Sequence, residues 1–129
     1  ILVTMGSISE TAMTTIDTLR EAGRKVGLVR IRLWRPFPFD EIREALSGAR
    51  TVAVVDRAMS LGGPGGPVCS EIRSALYETS HRPHVFGYIA GLGGRDVTIE
   101  TFTEIIDKAE AAAEKGARDE YEMIGVREI

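Results

Sequence analysis

A chain of 129 residues, 43% apolar and 27% charged, has the material for one domain with a real core. Its net charge of −3 offers no basic field for nucleic acid and no acidic tail for a basic partner. No apolar run is long enough to cross a bilayer, and no segment reads as a signal peptide. The single cysteine, Cys69, excludes an internal disulfide framework and fits a reducing, cytoplasmic setting.

Strand and helix signals alternate along the chain. Residues 1–5, Ile1-Leu2-Val3-Thr4-Met5, read as a buried strand from the first position. A natural chain rarely starts in mid-strand, so a piece of a longer protein is expected, a removed leader being the alternative. Ser7 and Glu10 have the spacing of a capping box. Ile8, Ala12, Ile16 and Leu19 then share a helical face that Gly23 ends. Residues 26–34 form a second expected strand, with Val29, Ile31 and Leu33 on one side and Arg30 and Arg32 on the other.

Pro36 and Pro38 break that strand, and Phe39, Ile42, Ala45 and Leu46 give a short helix before Gly48. Residues 51–56 are apolar and β-branched, as in a strand covered on both faces. A glycine-rich loop leads to Pro67, a good first helical residue, and Val68, Ile72, Ala75 and Leu76 make the next stripe. Residues 85–90 are a fourth strand. Thr98 can cap the last helix, with Val97 and Phe102 placed for a hydrophobic staple; Gly116 stops it. Such alternation with short loops predicts a three-layer α/β/α domain with a mostly parallel sheet. The domain is assigned to residues 1–116. The tail, 117–129, carries Tyr121, Met123, Ile124 and Val126, which are expected to dock on this domain or a neighbour.

Two loops invite a functional reading. The first runs from Arg57 through Gly62, Gly63, Gly65 and Gly66 to a helix start, where amides favour an anion. It lacks the Gly-Lys-Ser/Thr of a phosphate loop and the spacing of a dinucleotide fingerprint, so a purely structural turn competes with an anion or partner contact. The second is Gly91-Leu92-Gly93-Gly94-Arg95-Asp96, beyond the carboxyl end of a strand, where open α/β sheets bind ligands. Arg95 can grip a carboxylate or phosphate, or Arg95 and Asp96 can pair with a neighbouring domain. His81 and His84 flank Pro83 and have no further ligand, so no metal site is assigned. Ser7 and Ser9 lack the surroundings of a nucleophile elbow, and Cys69 reads as a small buried hydrophobe. The residues by themselves yield no catalytic set.

Four segments together resemble one family. They are residues 3–7 (VTMGS), 33–38 (LWRPFP), Val55-Asp56-Arg57 with its glycine loop, and residues 91–96 (GLGGRD). The ending, residues 122–128 (EMIGVRE), adds to them. They resemble the transketolase C-terminal-like domain in the α chain of pyruvate:ferredoxin oxidoreductase. The resemblance implies a five-stranded, mostly parallel sheet with one antiparallel edge strand. It implies a parent enzyme that oxidatively decarboxylates pyruvate on thiamine diphosphate with Mg, passes electrons through iron–sulfur clusters to ferredoxin, and delivers acetyl to coenzyme A. In that family the cofactors lie mainly in other domains and chains. The fragment is then expected to bind no cofactor itself and to hold the rest of the α chain and its partner subunits in place, with Arg35, Arg57 and Arg95 as inter-domain contacts. Two competing readings are a coenzyme A or nucleotide-binding regulatory module and the equivalent domain of another thiamine diphosphate enzyme.

Overall fold

A computed structural model of the chain describes residues 1–116 and 120–127; positions 117–119 and 128–129 of the expected tail lie outside the described residues. Strands β1 (Leu2–Met5), β2 (Leu28–Ile31), β3 (Thr51–Asp56), β4 (His84–Ile89) and β5 (Glu122–Met123) form one sheet in the order β2-β1-β3-β4-β5. Every neighbouring pair is parallel. The expected antiparallel edge strand is therefore corrected. Helix α4 (Ile99–Lys115) carries the chain back along the sheet after β4, so β5 starts from the same edge as the other strands.

The strand pattern decides which helix lies where. Along β3, Ala53 and Val55 enter one apolar cluster with α1 (Ile8–Glu21) and α4. Val52 and Val54 enter the other, with α2 (Phe39–Leu46) and α3 (Pro67–Leu76). An unbroken apolar run is what a strand covered on both faces needs. Ile16 and Ile106 fill the first layer, and Leu46 and Ile72 the second. Burying each such side chain contributes about 1.5–3 kcal/mol.

Local signals account for most element ends. Pro67 opens α3 at a first-turn position, where a missing N–H costs nothing. At α4 the Thr98 hydroxyl accepts from the Thr101 amide, and the Thr101 side chain returns the contact. Phe102 is fully buried in the cluster that Val97 packs against. Ser7 differs from expectation. It makes no side-chain cap, and Glu10 pairs instead with Arg30, at 3.0 Å. That pair, together with a 2.8 Å contact from Arg30 to Met13 Sδ, covers the polar face of β2 with α1.

β2 is shorter than the sequence pattern predicts. It stops at Ile31, and Leu33 lies beyond it, 52% exposed, rather than pointing inward with Val29 and Ile31. The tail supplies the fifth strand: Glu122 and Met123 pair with Tyr88 and Ile89, and Ile124 is buried in the α1/α4 cluster. Lys108 on α4 is ion-paired with Glu122. Arg73 on α3 reaches the outer edge of β4 and donates to the Val85 and Glu120 carbonyls. Among the described residues no helix is long and apolar enough to cross a membrane.

Candidate functional site

Because all strands are parallel, their carboxyl ends share one edge. The sharp turn after β1, residues 57–66 after β3 and residues 91–98 after β4 all emerge there. The order β2-β1-β3-β4-β5 also puts a topological switch between β1 and β3, the place where open sheets of this kind gather ligands.

The most buried charged group of the edge is Asp56, the last residue of β3, only 4% exposed. Its Oδ1 accepts from the Val68 amide at 2.9 Å and its Oδ2 from the Cys69 amide at 3.1 Å. The chain thus supplies its own anion to the start of α3. Burial pushes the Asp56 carboxyl above its ordinary value, and the two amide hydrogen bonds pull it back in part. Gly66 is where the carboxylate passes: a Cβ there would sit 2.1 Å from Asp56 Oδ2. Gly65 lies against Tyr121, and Gly63 folds over Ser60. Hydrogen bonds from Ser60 N to Gly65 O and from Gly63 N to Ser60 O close the loop. Gly62 and Leu61 sit at its exposed tip, where Leu61 is 95% exposed.

The arginines divide into two kinds. Arg35 is engaged within the domain. It donates to Glu71 Oε1 on α3 and to the Trp34 carbonyl, and its guanidinium lies 4.3 Å from the Trp34 ring centre. Arg57 and Arg95 are exposed, and among the described residues neither meets a carboxylate at ion-pair distance. Both border the same turn. Arg57 Nε lies 3.1 Å from where a Cβ on Gly91 would be, and Arg95 Nη1 is 3.2 Å from that point on Gly93. Arg95 also donates to the Leu92 carbonyl at 2.9 Å. Gly91 has φ +80° and is crowded by Val97 as well, so a side chain there meets both strain and contact. Gly93, Gly94, Arg95 and Asp96 are exposed.

The other candidates are dispersed. Cys69 is buried under β4, with its Sγ 3.0 Å from where a Cβ on Gly87 would stand. Burial pushes its thiol up to about 11, far from a nucleophile's value. His81 contacts the Ala49 carbonyl through Nε2, while the His84 ring stacks on Phe86. Ser9 shares a buried hydrogen bond with Thr4. Among the described residues no group of three or more His, Cys, Asp or Glu side chains is placed to hold a metal ion. With one cysteine, the chain does not provide the four thiolates of an iron–sulfur cluster. A hollow of about 870 Å³ lies at the opposite, amino edge between α1 and α4, near Leu2, Arg20, Lys25 and Arg50.

Sequence reasoning missed the part Asp56 plays. The available signal was a carboxylate closing a strand, a glycine loop and a proline at the helix start. The contact spans 12 positions, and no local spacing rule reaches that far.

These features define a doubly wound parallel α/β domain whose carboxyl edge presents arginines, glycine turns and an apolar tip. A family described as "Pyruvate:ferredoxin oxidoreductase core domain II" matches residues 1–102, and the chain belongs to it. The chain is 41% identical over 130 residues to pyruvate synthase subunit PorA of Thermotoga maritima, covering 99% of this chain and 32% of that protein. It is 34% identical over 128 residues to the subunit PorA of Methanosarcina barkeri, covering 99% and 32%. Over 115 residues it is 40% identical to ketoisovalerate oxidoreductase subunit VorA of Pyrococcus furiosus, covering 89% and 29%. The chain spans about a third of the length of these relatives.

Proposed function

We propose that the chain is an assembly domain of the α subunit of a 2-oxoacid:ferredoxin oxidoreductase and carries no reacting group of its own. The observation that carries this reading is the state of the carboxyl edge. Its buried carboxylate, Asp56, is committed to the start of α3. The nearby thiol is buried and held protonated, while the exposed charged groups among the described residues of the two loops are Arg57, Arg95 and Asp96.

The parent enzyme then decarboxylates pyruvate on thiamine diphosphate and Mg held elsewhere, sends electrons through iron–sulfur clusters to ferredoxin, and passes acetyl to coenzyme A, in the cytoplasm. The relatives include both pyruvate synthase and ketoisovalerate oxidoreductase subunits, and on this reading the choice of 2-oxoacid is made in other parts of the enzyme. The role of this domain is geometric. Reacting groups held by several domains lose rate steeply when displaced, so a rigid α/β block can govern turnover without touching substrate.

The test compares the complete α chain with one lacking this domain, each mixed with the partner subunits. Co-purification and pyruvate-dependent ferredoxin reduction are measured. Loss of both on deletion is the expected result; full activity without the domain would overturn the reading.

A further inference from the structure

We infer that residues 120–124 form a strap that holds the glycine loop, residues 60–66, in its closed shape, so that loosening either one loosens the other. The inference goes beyond the assembly reading and does not depend on it.

The contacts run without a break from the tail to the loop. Ile124 is buried in the α1/α4 cluster, and its amide donates to the Ile89 carbonyl at 2.9 Å. Glu122 is ion-paired with Lys108 on α4. The Glu120 carbonyl accepts from Arg73 on α3 at 3.2 Å. Between these anchors stands Tyr121, half-buried. A Cβ on Gly65 would lie 3.1 Å from Tyr121 Cβ and 3.4 Å from its Cδ1, so the loop backbone rests directly on this side chain. Gly65 is also where the loop closes. Ser60 N donates to its carbonyl at 2.8 Å, and Gly63 N donates to the Ser60 carbonyl at 2.9 Å. The next residue, Gly66, meets Asp56. The returning leg of the loop is thus held by the tail at one position and by the end of β3 at the next.

The loop has reason to need a hold from outside itself. Four of the six residues 61–66 are glycine, which loses more backbone freedom on ordering than any other residue. Its two internal hydrogen bonds work against that cost, and the packing of Gly65 on Tyr121 adds to them.

The strap, for its part, is lightly held. β5 has two residues and pairs only with Tyr88 and Ile89, and the side chains of its ion pair are about two-fifths exposed. Elements with few buried contacts open at a lower free energy than the sheet they lean on. When the strap leaves, Gly65 loses Tyr121 and the loop loses its support. Coupling of this kind is reciprocal. Whatever rests on the glycine loop at the carboxyl edge therefore also acts on the outer edge of β4.

The test is hydrogen exchange on the complete α chain, read by mass spectrometry. In Tyr121→Ala, exchange over residues 58–66 is expected to rise about tenfold. Residues 51–56 should keep the parent rate, which shows the sheet intact. Tyr121→Phe, which keeps the ring atoms that touch Gly65, is expected to match the parent. Ile124→Ala, which removes the buried anchor of the strap, should also speed exchange over residues 58–66. In the reverse direction, Gly65→Ala is expected to speed exchange of the Ile124 amide. Parent-like loop exchange in Tyr121→Ala overturns the inference. A loop that loosens as much in Tyr121→Phe overturns the ring contact as its basis. A loop that keeps its protection in Ile124→Ala shows that the tail does not act as a unit, and an Ile124 amide unmoved by Gly65→Ala overturns the coupling.

Discussion

Replacing Asp56 with alanine would test the central structural claim about the carboxyl edge. The variant strands the Val68 and Cys69 amides, which now donate to the carboxylate at 2.9 and 3.1 Å. Losing a helix cap costs about 0.5–2 kcal/mol, and a buried amide left without a partner about 1–3 kcal/mol. Relief from holding a desolvated carboxylate offsets part of this. The expected net loss is about 2–3 kcal/mol. For a domain of this size that lowers Tm by roughly 7–11 °C.

The pH dependence gives an independent check. The folded-state value of Asp56 lies above 3.8, because burial outweighs its two amide hydrogen bonds. A carboxyl raised on folding binds its proton better in the folded state, so its contribution is greatest below 3.8 and declines as pH rises through the raised value. The Tm gap between parent and Asp56→Ala should therefore narrow from pH 4 to pH 7. Thermal unfolding followed by circular dichroism measures both. An unchanged Tm at both pH values would refute the capping role. A gap that widens with pH would show that the helix-start amides outweigh desolvation.

Gly66→Ala would force a Cβ to within 2.1 Å of Asp56 Oδ2, and overpacking of this kind typically costs about 1–3 kcal/mol. Adding Asp56→Gly should recover part of the loss, and strictly additive Tm shifts would contradict direct contact. Cys69, 1% exposed with its thiol raised to about 11, should react with an aromatic disulfide reagent at pH 8 only as fast as the domain opens. Complete labelling within the mixing time, without denaturant, would be inconsistent with its burial. Arg24, in the turn just beyond α1, reaches Asp107 and Glu110 on α4, with contacts of 2.8 Å on a solvated face. Arg24→Ala should cost no more than about 1 kcal/mol, less in high salt, and a larger loss in urea titrations would show that these pairs are not ordinary surface pairs.

Periodicity made four strands and four helices legible. Residues 51–56 announced a central strand, and Thr98 with Phe102 announced the start of α4. Local rules reached less far where neighbours compete. Ser7 and Glu10 have capping-box spacing, but Arg30 on the adjacent strand claims Glu10. Leu33 fits a strand pattern, yet the strand ends at Ile31. β5 contains only two residues, too few for any alternation to show, and its direction follows from where α4 ends rather than from its own sequence. At the site, the glycine loops and arginines were legible as residue types. Their division into an internally engaged Arg35 and outward-facing Arg57 and Arg95 depends on contacts between distant segments.

The late arrival of β5 has a consequence for synthesis. A chain made from its amino end completes β4 and then adds a 17-residue helix before Glu122 and Met123 exist. Through that interval the outer edge of β4 has no strand partner, and such an edge can recruit strands from other nascent chains. Arg73 is already present on α3 and can engage the Val85 carbonyl before β5 forms. It occupies one acceptor on the open edge with a charged group, a provisional guard that the finished strand later supplements.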